Sequence, residues 1–118
     1  MSHPFRADDV DVEPEEVERL LREEEDVQLV DVREPYEHEA GRIEGARHVE
    51  LERLASEAES LDRDRPVVFY CRLGARSGMA ANAFRRAGYD ARSMVGGLER
   101  WHGEGRPIVP EDGHVAPH

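Results

Sequence analysis

The stretch from residue 66 to residue 88 constrains the fold of this chain more than any other. Val67–Tyr70 follows a proline and consists of β-branched and aromatic residues, which predicts a buried strand. From 77 to 87 the apolar residues recur at helical spacing, and Gly88 predicts where that helix ends. Cys71 therefore lies where a buried strand passes into a loop and then into a helix.

Strand and helix patterns alternate along the rest of the chain. Strands are predicted at 9–12, 27–32, 47–51 and 91–95, and helices at 13–21, 51–61 and 98–102, with a short helix or loop at 35–41. This order favours an α/β domain with a mostly parallel sheet, whose ligand sites form beyond the carboxyl ends of the strands. A length of 118 residues suits one domain.

The formal net charge of -11 limits the partners that the chain can have. It argues against nucleic acid, and no apolar run approaches the ~20 residues that cross a membrane. The first ten residues lack a signal-peptide pattern, so we expect a cytoplasmic protein. All basic residues are arginine, which is consistent with a salt-rich cytoplasm and equally with a GC-rich genome.

The loop from Cys71 to Ser77 has the composition of an anion site. Consecutive backbone N–H groups can converge on one point, and Gly74 permits backbone angles that a side chain would forbid. The start of the following helix adds positive potential, which favours a thiolate at Cys71, and Arg72 and Arg76 add full charges. The alternative is that Cys71 is an inert, buried thiol at a strand end.

This loop resembles the active-site loop of the rhodanese family, in which a cysteine begins a turn of the form C-R-x-G-x-R or T. Two other stretches agree with that family. Residues 31–46 contain D-V-R followed by E-x-x-x-G-x-I-x-G-A, and residues 96–101 match its G-G-x-x-x-W element. The resemblance extends from about Val10 to Pro107, with one departure: Arg42 stands where the family commonly has histidine.

The resemblance implies a rhodanese-like three-layer α/β fold, with a central, mostly parallel five-stranded sheet flanked by helices. We expect the domain to span 8–107, between an N-terminal extension at 1–7 and a flexible C-terminal tail at 108–118, which is rich in Gly, Pro and His.

The resemblance also implies a sulfurtransferase with Cys71 as the nucleophile. Its thiolate would take the outer sulfur of thiosulfate or a related persulfide donor, and cyanide or a thiol would then accept it. The residues expected to bind the substrate and the persulfide are Arg72, Leu73, Gly74, Ala75, Arg76 and Ser77. No metal or organic cofactor is expected. The predicted partners are a small anionic sulfur donor and a thiol or cyanide acceptor.

Asp31 and Arg33 follow a core strand and are predicted to support the site through an ion pair or a loop cap. Glu37 and Trp101 are predicted to be structural. The histidines show no metal-ligand spacing, and we expect them to be solvent-exposed or isolated; they are His3, His38, His48, His102, His114 and His118.

Two other functions are compatible with parts of the sequence. A cysteine-dependent phosphatase or arsenate reductase would place five residues between the cysteine and the arginine, whereas Arg76 comes one position earlier and Ser77 occupies that place. The cradle would then be too small for phosphate. The second alternative is a carrier or sensing module that exchanges sulfur with protein partners and has negligible turnover of free thiosulfate.

Overall fold

The computed structural model describes residues 9–23 and 26–118, and it has the predicted alternation of strands and helices. The strands are β1 (Asp11–Val12), β2 (Gln28–Asp31), β3 (Arg47–His48), β4 (Val67–Tyr70) and β5 (Ala91–Met94). The helices are α1 (Pro14–Arg22), α2 (Pro35–Ala40), α3 (Leu54–Glu57), α4 (Ala75–Arg86) and α5 (Gly97–Gly103). Short 3₁₀ turns at Leu51–Arg53 and Ala58–Ser60 flank α3.

Within the described ranges, the strands form one five-stranded sheet in the order β1-β5-β4-β2-β3, and each neighbouring pair is parallel. The prediction of a five-stranded, mostly parallel sheet is confirmed. Asp31 lies opposite Tyr70, and Phe69 lies opposite Ser93. The carboxyl ends of β2, β4 and β5 therefore meet at one edge of the sheet, where the Cys71 loop begins.

Side chains of the central strand β4 alternate between two apolar clusters. Val67 and Phe69 belong to the cluster that includes buried residues of α3 and α4, and Val68 and Tyr70 belong to the cluster of α1 and α5. Because alternate residues of a strand point to opposite faces, the sheet is covered on both sides. The expected three-layer arrangement is confirmed, and Cys71 continues the alternation on the α4 face.

The elements differ from the predicted ones mainly at their ends. The helix predicted at 51–61 is divided into two 3₁₀ turns around the four-residue α3. Of its apolar residues, Leu54 and Leu61 are buried, whereas Leu51 is only partly buried, so the segment has too narrow an apolar face for a continuous helix. Helix α4 begins at Ala75, two residues before the predicted start, because Gly74 serves as its N-cap.

Residues 108–118, which we expected to form a flexible tail, pack against the domain. Ile108 lies in the apolar cluster with Trp101, and Ala116 is buried. Val109 exchanges two backbone hydrogen bonds with Arg42, at 2.7 and 2.9 Å. The Gly- and Pro-rich composition suggested mobility, but apolar burial and backbone pairing hold this segment in place.

The extension predicted at 1–7 lies outside the described residues. Within the described part of the chain, no helix is both long enough and apolar enough to cross a bilayer.

Candidate active site

The sulfur atom of Cys71 accepts hydrogen bonds from the loop that follows it. The Gly74 N–H donates to Sγ at 3.1 Å and the Ser77 N–H at 3.4 Å. The Ser77 hydroxyl lies 3.5 Å from the same sulfur. Because the positive ends of these N–H dipoles point at one atom, they stabilise negative charge on it. Of the loop amides, those of Gly74 and Ser77 therefore face the Cys71 sulfur, and the role of the remaining loop amides in binding stays a prediction.

Backbone conformation explains how the loop curls around the sulfur. Gly74 has a φ of 119°, in a region that residues with a side chain rarely adopt. This conformation ends the loop and begins α4, so that the first turn of the helix, with its N–H groups unpaired within the helix, faces the cysteine.

Helix α5 holds the loop from the other side. The Leu98 N–H donates to the carbonyl oxygen of Cys71 at 2.8 Å, and the Glu99 N–H donates to that of Arg72 at 3.1 Å. The G-G-x-x-x-W element found in the sequence thus contacts the cysteine loop directly through its backbone.

A cavity of about 280 Å³ opens above the cysteine. It is lined by Cys71, Arg72, Leu73, Ala75, Arg76 and His118. Cys71 itself is only 1% exposed, which places its sulfur at the floor of the cavity. That volume lies close to the lower end of the usual range for small-molecule pockets. Five of the seven loop residues predicted for the site therefore border one space, while Gly74 and Ser77 contact the sulfur from the protein side.

Both arginines of the loop have carboxylate partners. The guanidinium of Arg76 donates two hydrogen bonds to Glu37, at 2.8 and 3.0 Å, and Arg72 lies 3.4 Å from the exposed Glu99. Burial of Glu37 favours its neutral form, but the hydrogen bonds from Arg76 and the Glu34 N–H outweigh burial and lower the pKa of Glu37. The Nε of Arg72 is buried and has no hydrogen-bond partner among the described residues.

Asp31 and Arg33 form a fully buried ion pair and do not line the cavity. Asp31 accepts two hydrogen bonds from the Arg33 side chain, at 2.8 and 2.7 Å, and one from the Arg33 N–H. His38 Nδ1 lies 2.8 Å from the same carboxylate. Burial would raise the pKa of Asp31, but these partners outweigh it and lower that pKa to about 2. The pair stabilises the end of β2, where it lies beside Tyr70 of the central strand.

Three side chains at the site come from distant parts of the chain. Glu37 holds Arg76, the Ser93 hydroxyl lies 2.8 Å from that of Ser77, and His118 lines the cavity. The sequence signal for Ser93 is a polar residue within a strand that is buried along its whole length. His118 is exposed, as expected, and it borders the cavity at the same time. His38 and His48 were expected to be isolated, but their rings are stacked at 4.5 Å.

One trio of carboxylates in the described residues has the spacing of a cation site: Glu34, Glu50 and Glu52. None of the three lines the cysteine cavity, and exposed acidic groups commonly lie this close without an ion.

Known proteins share this sequence pattern. The chain is 41% identical over 78 residues to the uncharacterized protein YqhL of Bacillus subtilis, a match covering 65% of this chain and 62% of YqhL. It is 35% identical to a sulfurtransferase of Allochromatium vinosum, covering 87% of this chain and 97% of that protein. It is also 35% identical to the thiosulfate sulfurtransferase GlpE of Pseudomonas aeruginosa, covering 86% of this chain and 87% of that protein.

The fold also has solved counterparts. The structure of a rhodanese-related protein from Thermoplasma volcanium superposes with a TM-score of 0.78 at 25% identity, covering 84% of this chain and 96% of that one. The sequence profile of the rhodanese-like domain matches residues 13–104, which include the cysteine loop and the α5 element that holds it. The chain therefore belongs to the rhodanese-like domain family.

Proposed function

We propose that this protein is a sulfurtransferase that carries a sulfane sulfur atom as a persulfide on Cys71. The observation that carries the proposal is the pair of amides, from Gly74 and Ser77, directed at a lone thiol on the floor of a small cavity. The family and the sulfurtransferase names of two relatives support the same reaction class.

The donor we propose is thiosulfate or a related persulfide. In the first half-reaction the Cys71 thiolate attacks the outer sulfur of thiosulfate, a new S–S bond forms, and the old S–S bond breaks. Sulfite leaves with the electron pair of the broken bond, so charge balances and no proton has to move. Arg72 and Arg76, which both line the cavity, would bind the anionic donor at its wall.

The acceptor we propose is a thiophilic anion, either cyanide or a thiolate. It attacks the outer sulfur of the persulfide, and the electron pair returns to Cys71 as the thiolate. Because the chain has a single cysteine, no internal disulfide can release the sulfur, and an external acceptor must complete the cycle. The amides that face the Cys71 sulfur would stabilise the resting thiolate and the persulfide in turn.

Intact mass spectrometry tests the proposal. After incubation with thiosulfate, the wild-type protein should gain one sulfur atom, and cyanide should remove it with release of thiocyanate. Cys71→Ser should gain none, because the nucleophile is lost. A thermal unfolding curve should show that this variant is folded. A folded wild-type protein that gains no sulfur from thiosulfate or from a persulfide donor would contradict the proposal.

A second candidate is a sulfur carrier for protein partners, and exposed apolar side chains favour it. Leu73 and Met79 are each 58% exposed and Tyr36 is 52% exposed. Leu73 lines the cavity, Met79 lies one helical turn after Ala75, and Tyr36 donates a hydrogen bond to the carbonyl of Pro117, next to His118. A docking protein could cover these side chains. Sulfur gain from a protein-bound persulfide but none from thiosulfate would select this candidate.

A further inference from the structure

Residues 113–118, here called the strap, lie on helix α2. The His114 N–H donates to the carbonyl oxygen of Ala40 at 2.9 Å. A Cβ atom at Gly113 would lie 2.6 Å from that same oxygen, and one at Gly41 would collide with the backbone of His114. Glycine at both positions lets the two backbones approach closely, so the strap is fitted to the end of α2.

The far end of the strap reaches the cysteine cavity. Ala116 is only 4% exposed, and the Tyr36 hydroxyl donates to the carbonyl of Pro117 at 3.0 Å. The next residue, His118, lines the cavity together with Cys71. Helix α2 thus binds the strap through Tyr36 and holds the cysteine loop through the Glu37–Arg76 pair.

We propose that the strap is a specificity-determining wall of the Cys71 cavity, which limits by size the reagents that reach the sulfur. Small anions and slender chain ends would enter, whereas bulky thiols would be excluded by His118 and the backbone before it. The inference rests on the proposed function only in that the natural reagents are sulfur donors and acceptors. The size limit itself applies to any reagent that attacks or modifies the thiol.

The single cysteine makes this wall directly measurable, because every thiol label reports on Cys71. The measured quantity is the ratio of two labelling rates, for bulky fluorescein maleimide and for small iodoacetamide. Ala116→Glu should displace the strap, because a charged side chain cannot replace a buried methyl group. We expect the ratio to rise about tenfold, which corresponds to a barrier change of about 1.4 kcal/mol. Ala55→Glu, at an exposed position of α3, is the matched control and should leave the ratio unchanged.

Two milder variants keep the test decisive if Ala116→Glu does not fold. Tyr36→Phe removes only the hydrogen bond to Pro117, and His118→Ala removes only the imidazole at the mouth. Both should raise the ratio by a smaller factor, and His102→Ala, at an exposed position of α5, should not. If both variants fold and their ratios equal that of the wild type, the strap is not a barrier and the inference is wrong.

The same proteins separate this inference from the proposed function. The acceptor preference, glutathione relative to cyanide, should shift toward glutathione in the strap variants. If the labelling ratio rises but no protein gains sulfur from any donor, the wall stands and the sulfurtransferase proposal fails. A different result is that the wild type gains sulfur, but the variants have the wild-type labelling ratio and the wild-type preference between glutathione and cyanide. In that case the proposed function is supported and the inference about the strap is wrong.

Discussion

Arg76 shows how one side chain can serve structure and binding together. Its guanidinium lines the cavity, yet it also forms the bidentate pair with the fully buried carboxylate of Glu37. That hydrogen-bonded carboxylate raises the pKa of Arg76 against the opposing effect of burial. The charge of Arg76 is therefore permanent but partly neutralised, and its role in donor binding stays a prediction from the sequence.

Arg76→Ala separates the two roles. It should raise KM for thiosulfate and slow persulfide formation, because one cationic wall of the cavity is lost. It should also lower the free energy of unfolding by about 3 kcal/mol, because Glu37 is left buried without its partner. Steady-state kinetics and urea unfolding measure the two effects.

The control is the double variant Arg76→Ala with Glu37→Ala, which removes the orphaned carboxylate. Its stability should recover in part while KM stays high. A KM for thiosulfate that equals the wild-type value in both variants would show that Arg76 is purely structural.

At the scale of a single element, α5 contacts the backbone of the cysteine loop directly, although the two are well separated in the sequence. A Cβ atom at Gly97, which has a φ of 60°, would lie 2.5 Å from the carbonyl oxygen of Cys71 and nearer still to that of Arg72. Those two oxygens accept hydrogen bonds from the N–H groups of Leu98 and Glu99, in the first turn of α5. The helix and the loop are therefore held in register by backbone contact.

Gly97→Ala should push the loop away from α5 and misalign the amides at the sulfur. We expect a loss of about 3 kcal/mol in unfolding free energy from strain and overpacking. Persulfide formation should slow at least about tenfold, since small displacements of reacting groups are costly. Stopped-flow measurement of sulfite release gives the rate.

Gly103→Ala is the matched control, since a Cβ there meets nothing within 4 Å and the backbone is not left-handed. It should change stability by no more than about 0.5 kcal/mol. Equal effects of the two substitutions would contradict a specific contact between α5 and the loop.

Sequence patterns predicted the elements that depend on local chemistry. The β-branched run of β4 and the helical spacing of α4 are contained in neighbouring residues, so Cys71 and its loop could be placed between them. The partners of the loop could not be placed in this way. The packing of α2, β5 and the strap brings three side chains to the cysteine loop: Glu37, Ser93 and His118. Such long-range contacts leave no periodic pattern in the sequence, so they could not be predicted from it.

The same limit explains the two largest differences from expectation. The composition of 108–118 predicted mobility, while its order depends on Ile108 and Ala116 finding apolar surface elsewhere in the fold. Likewise, His38 and His48 are adjacent only because α2 and β3 bring them together.

At the scale of the whole molecule, 27 acidic residues against 16 arginines leave the surface strongly negative. Salt acts on this surface in two opposing ways. It screens attractive pairs such as Arg19–Glu23 and Arg53–Glu57, which are each worth little when exposed. It also screens the repulsion among the acidic side chains that gives a net charge of -11. This repulsion destabilises the folded state, and it acts between charges that lie within about one Debye length of each other. The excess of like charge makes the second effect the larger one.

Stability should therefore rise with ionic strength, by about 1 kcal/mol or more between low salt and 1 M NaCl, the range in which screening becomes nearly complete. Urea unfolding at both salt concentrations measures the change.

A variant of lower net charge isolates the electrostatic contribution to this change, because salt also strengthens apolar burial. The variant combines Glu52→Lys and Glu59→Lys, which are both at exposed positions. Each substitution makes the net charge two units more positive, so the formal net charge changes from -11 to -7. That variant should be more stable than the wild type at low salt and gain less from added NaCl. An equal gain in both proteins would mean that net repulsion does not limit stability, and the acidic composition would then need an explanation other than a high-salt habitat.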